Sequence, residues 1–212
     1  MRLVIGNKNY SSWSLRPWIL LRHGHIRFDE VRIPLFSFES EQMIEDLCPA
    51  RKVPVLYDDR LVLWDSFAIC EYIADKHPAK KLWPEDAQQR ARARAMSAEM
   101  HSSFDDLRSN MPMNCRRVVE GFEPDNATKM DINRILQLWD NALSVSGGPW
   151  LFGKYSVADA MFAPVASRFK TYGIKLPTTA QRYADDVLAD KPMQQWYEDA
   201  QYETDVLDAA EV

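Results

Sequence analysis

The chain has 212 residues, 46% hydrophobic and 27% charged, with a net charge of −5. That balance suits an ordinary globular protein with a sizeable core and excludes a disordered chain, while the length fits one large domain or two small ones. Basic residues are scattered or mixed with acids, so no cationic stripe exists to follow a phosphate backbone and nucleic acid is not an expected partner.

Cys48, Cys70 and Cys115 have neither metal-ligand nor Cys-x-x-Cys spacing, and they point to a reducing compartment without a disulfide framework. The start of the chain lacks a secretory leader pattern, and no apolar run is long enough for a bilayer. A cytoplasmic location, without membrane insertion, is the expectation.

Arg2 to Gly6 reads as a first strand, followed by a helix on Leu15, Trp18 and Ile19 that stops at Gly24. Val31, Ile33 and Leu35 alternate at period two and predict a second strand. Val53 to Tyr57 and Leu61 to Leu63 flank Asp58, Asp59 and Arg60 as a hairpin, and Ser66 to Lys76 resumes helical character.

From about residue 85 the strand signal disappears. Met100, Phe104, Leu107 and Met111 recur at four, three and four, as one helical face requires. Ile132, Ile135, Leu136, Trp139 and Leu143 define another helix ending near Gly147, Gly148 and Pro149, and later helices are expected near Ser156, Thr179 and Pro192. The stretch from Pro78 to Pro84 separates the mixed half from the helical half. The expected division is an α/β domain over 1–78, a linker over 79–86 and an all-helical domain over 87–212.

Three segments carry candidate chemistry. Tyr10-Ser11-Ser12-Trp13-Ser14-Leu15-Arg16 crosses from a strand exit into a helix start, where free amides and the positive end of the helix dipole favour an anion or thiolate. Plain helix capping by Ser11 or Ser12 explains the same residues. Val53-Pro54 opens a strand at a position where proline is tolerated only at an edge or start; a cis bond there would turn the Val53 backbone toward a bound peptide, and an ordinary trans edge proline is the alternative. Asp65 and Ser66 begin the next helix, where they serve either as caps or as a receptor for a carboxylate and an amino group.

Taken together and in this order, these residues resemble the glutathione transferase superfamily over nearly the whole chain. The resemblance implies a thioredoxin-like βαβ-ββα domain followed by an all-helical one. Ser11-Ser12-Trp13-Ser14-Leu15-Arg16 is similar to the zeta-class motif Ser-Ser-Cys-x-x-Arg, whose first serine serves the glutathione thiol, so that role carries to Ser11 with Ser12 as its substitute. Lys52, Val53, Pro54, Asp65 and Ser66 match the positions that hold the cysteinyl backbone, the glycyl end and the γ-glutamyl group. Ser156-Val157-Ala158-Asp159 is similar to the capping box that opens a buried helix of the family's second domain.

The implied activity is conjugation of glutathione to a small hydrophobic electrophile, without a metal. Serine is too weak an acid to act as base, so it would stabilise the thiolate by donating a hydrogen bond, lowering a thiol pKa that is about 8.5 in solution. Trp13, Phe104, Arg108, Met111, Arg168 and Tyr172 are candidates by position for the electrophile pocket, although Phe104 and Met111 also suit a core stripe. His23, His25, His77 and His101 lack metal-ligand spacing and read as surface or satisfied groups.

One departure is that Trp13 stands where the zeta motif has cysteine, which counts against isomerisation of maleylacetoacetate. That isomerase activity is nonetheless one alternative, and a non-catalytic binding protein on the same scaffold is another. The resemblance also implies a homodimer.

Overall fold

A computed structural model describes residues 1–35 and 38–211. The first part runs β1 (Arg2–Ile5), α1 (Ser12–His23), β2 (Asp29–Arg32), α2 (Phe38–Leu47), β3 (Val55–Asp58), β4 (Leu61–Trp64) and α3 (Ser66–Lys76). The strands form one sheet in the order β2-β1-β3-β4, with β1 and β2 parallel and the β1–β3 and β3–β4 pairs antiparallel.

Side chains alternate across this sheet. Leu3, Ile5 and Leu56 face the large core with α1 and α3, while Val4 and Val55 join Ile33 and Cys48 in a smaller cluster against Met43, Ile44 and Leu47 of α2. The result is the α/β layer that the residue pattern indicated and the thioredoxin-like arrangement that the resemblance implied.

The rest of the chain is helical: α4 (Ala87–Ser102), α5 (Asp105–Asn110), α6 (Asn126–Ser146), α7 (Val157–Thr171), α8 (Thr178–Ala189) and α9 (Lys191–Gln201). Every residue from Val157 to Phe169 in α7 is buried, as expected of a helix enclosed on all sides. It packs on α1, α4 and α8, so the helix bearing the serine cluster rests on the centre of the helical part. Trp139 of α6 meets Phe162, Phe169 and Tyr183 edge to face at ring distances of 6.1, 5.6 and 4.7 Å.

The start of α7 is closed by Asp159, which is fully buried. Its carboxylate accepts from the Ser156 amide at 2.8 Å, the Ser156 hydroxyl at 3.0 Å, the Leu151 amide at 3.0 Å and the Tyr183 hydroxyl at 3.2 Å. Burial nevertheless pushes its pKa up to about 6, because desolvation outweighs those donors.

Local pattern misplaces three features. β2 ends at Arg32, so Ile33 and Leu35 lie beyond the strand whose alternation suggested them. Helix α2 intervenes where the residue pattern gave no element. The stripe of Met100, Phe104, Leu107 and Met111 is not one helix: α4 stops at Ser102, Phe104 takes a left-handed φ of 70°, and α5 restarts at Asp105. All four side chains are still buried, because the apolar spacing places them on the core whether or not the backbone is continuous.

Candidate functional site

Residues 6–11 join β1 to α1 and are buried throughout. The Ser11 amide donates to the Asn7 carbonyl at 2.8 Å and closes the turn. Ser11 then caps α1: its Oγ accepts from the Ser14 amide at 3.4 Å and donates to Ser14 Oγ at 2.8 Å, while Ser14 Oγ also receives the Gly6 amide at 3.1 Å. The Ser11 hydroxyl is thus turned toward its own helix. Ser12 faces another way, its Oγ accepting from Arg168 Nη2 at 3.2 Å.

Around this helix start three guanidinium groups converge. Arg16, fully buried, donates to Ser66 Oγ at 3.4 Å and lies over the Trp13 ring at 4.3 Å from its centroid. Arg108 lies over the same ring at 4.7 Å and donates to the Met100 and Ser103 carbonyls. Arg168 is buried in α7 and donates through Nε to the Met111 carbonyl at 2.8 Å.

Four of their nitrogens are buried without a hydrogen-bond partner among the described residues: Arg16 Nε and Nη2, Arg108 Nη1 and Arg168 Nη1. Burial, with the charge of Arg108 next, brings Arg168 down to about 9. The same two causes, joined by the charge of Arg168, pull Arg16 well below its usual value. Burial lowers Arg108 as well. Buried donors of one sign with unmet hydrogen-bonding capacity form a receptor for an anion.

Asp65 caps α3 with a φ of 70°, a region uncommon for residues other than glycine. One oxygen accepts from the Phe67 and Ala68 amides at 2.8 and 3.3 Å, and the other lies 3.1 Å from His101 Nε2. Burial lowers the His101 pKa and favours its neutral form.

The fold therefore brings together Ser11, Ser12, Trp13, Ser66, Arg108 and Arg168, with Asp65 joined to them through His101, which meets Trp13 edge to face at 5.4 Å. Lys52 is exposed, Val53 half-buried and Pro54 buried, ahead of the strand beside β1, and the Val53-Pro54 bond is cis. Phe104, Met111 and Tyr172 are core residues, with the Met111 carbonyl accepting from Arg168 Nε and the Tyr172 hydroxyl donating to the Pro112 carbonyl at 3.2 Å. A cleft of about 590 Å³ bounded by Met1, Arg22, Ile26 and Phe28 holds none of these residues.

Two members were not singled out from the sequence. Arg16 stands inside the quoted motif without a task, and the clue is a cation flanked by Leu15, Pro17, Trp18 and Ile19 on a helix whose other basic residues lie in its last turn. His101 read as a surface or satisfied group, and its Nδ1 is buried without a partner among the described residues.

Comparison with known proteins decides the family. Residues 10–76 match the description "Glutathione S-transferase, N-terminal domain". A maleylacetoacetate isomerase from Rattus norvegicus is 30% identical over 185 residues, covering 79% of this chain and 80% of that protein. The chain is a zeta-like member of the glutathione S-transferase superfamily.

A probable maleylacetoacetate isomerase from Caenorhabditis elegans is 28% identical over 86% of both chains. Solved structures carry the same fold. A glutathione transferase homolog from Burkholderia with bound glutathione has a TM-score of 0.74 at 24% identity, covering 95% of this chain and 98% of its own. A zeta-class maleyl pyruvate isomerase has a TM-score of 0.74 at 20% identity, covering 97% and 100%. This glutathione transferase is accordingly an enzyme of that family. Among its described residues no helix is long and apolar enough to cross a membrane, and no group of side chains is arranged to hold a metal ion.

Proposed function

We propose that this transferase binds glutathione with its sulfur at the Ser11–Ser12 end of α1 and adds the thiolate to a small electrophile that carries a carboxylate. The observation that carries the reading is the set of unpartnered guanidinium nitrogens of Arg16, Arg108 and Arg168 beside Ser12 and Trp13. A neutral, purely hydrophobic electrophile would leave them unmet, whereas one carboxylate accepts several charge-assisted hydrogen bonds at once.

The same charges assist the sulfur. Positive groups and the amide end of α1 favour thiolate over thiol, and each pKa unit gained corresponds to about 1.4 kcal/mol. Ser11 supplies the hydrogen bond to sulfur by turning its hydroxyl from Ser14. Ser12, whose oxygen already accepts from Arg168, is the second donor. Lys52, Val53 and Pro54 receive the cysteinyl and glycyl parts of the tripeptide, and Asp65 with Ser66 receives its γ-glutamyl end. In conjugation the sulfur lone pair forms a carbon–sulfur bond as the leaving group departs with its electron pair.

The arginine cluster also favours a second reading, glutathione-dependent isomerisation of a cis-dienone acid. There the thiolate adds to the conjugated double bond, the resulting enolate rotates about a single bond, and expulsion of the thiolate restores a trans double bond. Both readings place the protein in the cytoplasm as a homodimer, and sedimentation tests the pairing. Calorimetric titration with glutathione, followed by assays with an activated aryl halide, a hydroperoxide and a cis-dienone acid, separates the readings. Turnover favouring the acid supports the carboxylate site, and absence of glutathione binding defeats both readings.

A further inference from the structure

The turn that presents the serine pair is held from the far end of the chain. Within residues 6–11 the amides of Lys8 and Asn9 do not bond to another strand or helix. They donate to the two oxygens of one side chain, the Glu203 carboxylate, at 2.7 and 3.0 Å. Glu203 is itself buried and lies just past the end of α9.

A buried backbone amide needs an acceptor, and a carboxylate is an acceptor-only group with two oxygens that can take two neighbouring N–H groups as a pair. Because these bonds are charge-assisted they are stronger than ordinary turn bonds, so they set the path of the turn.

The segment after Glu203 continues across the same turn. Asp205 accepts from Asn7 Nδ2 at 2.9 Å and from Arg32 at 2.8 Å, and Glu211 accepts from the Tyr10 hydroxyl at 2.6 Å and Asn114 Nδ2 at 2.9 Å. Arg116 pins the strap by donating to the Glu203 and Asp205 carbonyls, and its guanidinium also reaches the Tyr10 hydroxyl at 3.0 Å. Residues 7–10 thus have little sheet or helix pairing of their own and are held by residues 203–211 together with Trp196, which donates to the Lys8 carbonyl at 2.7 Å, and the 114–116 segment, which bonds to Asn9.

We infer that Glu203 is a positioning residue for the thiolate site: by holding the Lys8 and Asn9 amides it sets the turn from which Ser11 and Ser12 enter α1. The inference rests on the serine pair serving the glutathione sulfur. It carries a sign that distinguishes it from simple electrostatics. A nearby negative charge raises a thiol pKa, so neutralising Glu203 would by Coulomb's law alone lower the pKa of the bound thiol. Loss of positioning raises it, because the serine donors no longer reach the sulfur.

The test follows thiolate absorbance of bound glutathione against pH in the wild type, Glu203→Gln and Glu203→Ala, with circular dichroism confirming that each is folded at the assay temperature. Glu203→Gln retains one carbonyl acceptor and keeps the experiment decisive where Glu203→Ala does not fold. The expected result is a thiol pKa higher by about one unit in Glu203→Gln, with kcat/KM near pH 6.5 reduced about tenfold and converging on wild type at alkaline pH, where the thiol ionises unaided. A lowered melting temperature with an unchanged or lower thiol pKa overturns the positioning role while leaving the transferase reading intact. A wild type that leaves the thiol at its solution value overturns both together.

Discussion

Arg168 Nη2 donates to Ser12 Oγ at 3.2 Å, joining the central helix of the all-helical half to the first turn of the helix that follows the first strand of the sheet. A hydroxyl that accepts from a cation is a better donor through its own proton, and Arg168 Nη1 remains buried without a partner among the described residues. One side chain therefore links the proposed thiolate and carboxylate sites.

Replacing Arg168 by alanine is expected to cost about 2–3 kcal/mol of transition-state binding for a carboxylate-bearing electrophile, or about 100-fold in kcat/KM. With a neutral activated aryl halide the loss is expected to be about tenfold, reflecting only the weaker support of Ser12. Steady-state kinetics with both substrates measures the difference, and equal losses would place Arg168 outside the electrophile pocket.

Trp13 contacts both Arg16 and Arg108, with ring-to-guanidinium distances of 4.3 and 4.7 Å. Each contact is worth about 1 kcal/mol, so Trp13→Ala should release two like-charged side chains from a common platform. The expected outcome is a KM for the electrophile raised about tenfold, with glutathione affinity within about twofold of wild type by calorimetry.

Asp159 yields a pH prediction. Its folded pKa of about 6 lies above the unfolded value of 3.8, so its protonation stabilises the fold. That contribution is complete below about pH 4 and lost as pH rises through about 6. Asp159→Asn removes the titration but sets an amide against four donors, and it should destabilise the protein by about 3 kcal/mol near pH 7. Denaturant unfolding across pH 4–7 should show the stability advantage of wild type over the variant shrinking as pH rises.

The residues show why some of this was legible in the sequence. Ser11, Asp65 and Ser156 mark helix starts through local chemistry that needs no distant partner, and Gly24 and Gly147 mark helix ends in the same way. Helix α2 carries apolar residues chiefly at Met43, Ile44 and Leu47, too few to raise a periodic signal. The break at Phe104 is a backbone event inside an unbroken apolar pattern.

Arg16 and Glu203 were hidden for a different reason. Charged residues read as surface until the fold supplies partners, and those partners are Ser66 for Arg16 and the amides of Lys8 and Asn9 for Glu203. No local window contains both members of either pair.

The most direct test of the central claim is the pH titration of glutathione thiolate absorbance on the wild type and on Ser11→Ala, with Ser12→Ala in parallel. The expected thiol pKa is at least one unit below the solution value of about 8.5 on wild type, returned toward it in Ser11→Ala and partly so in Ser12→Ala. Glutathione that binds wild type with an unshifted thiol, or a shift that survives undiminished in each of the two variants, would contradict that claim.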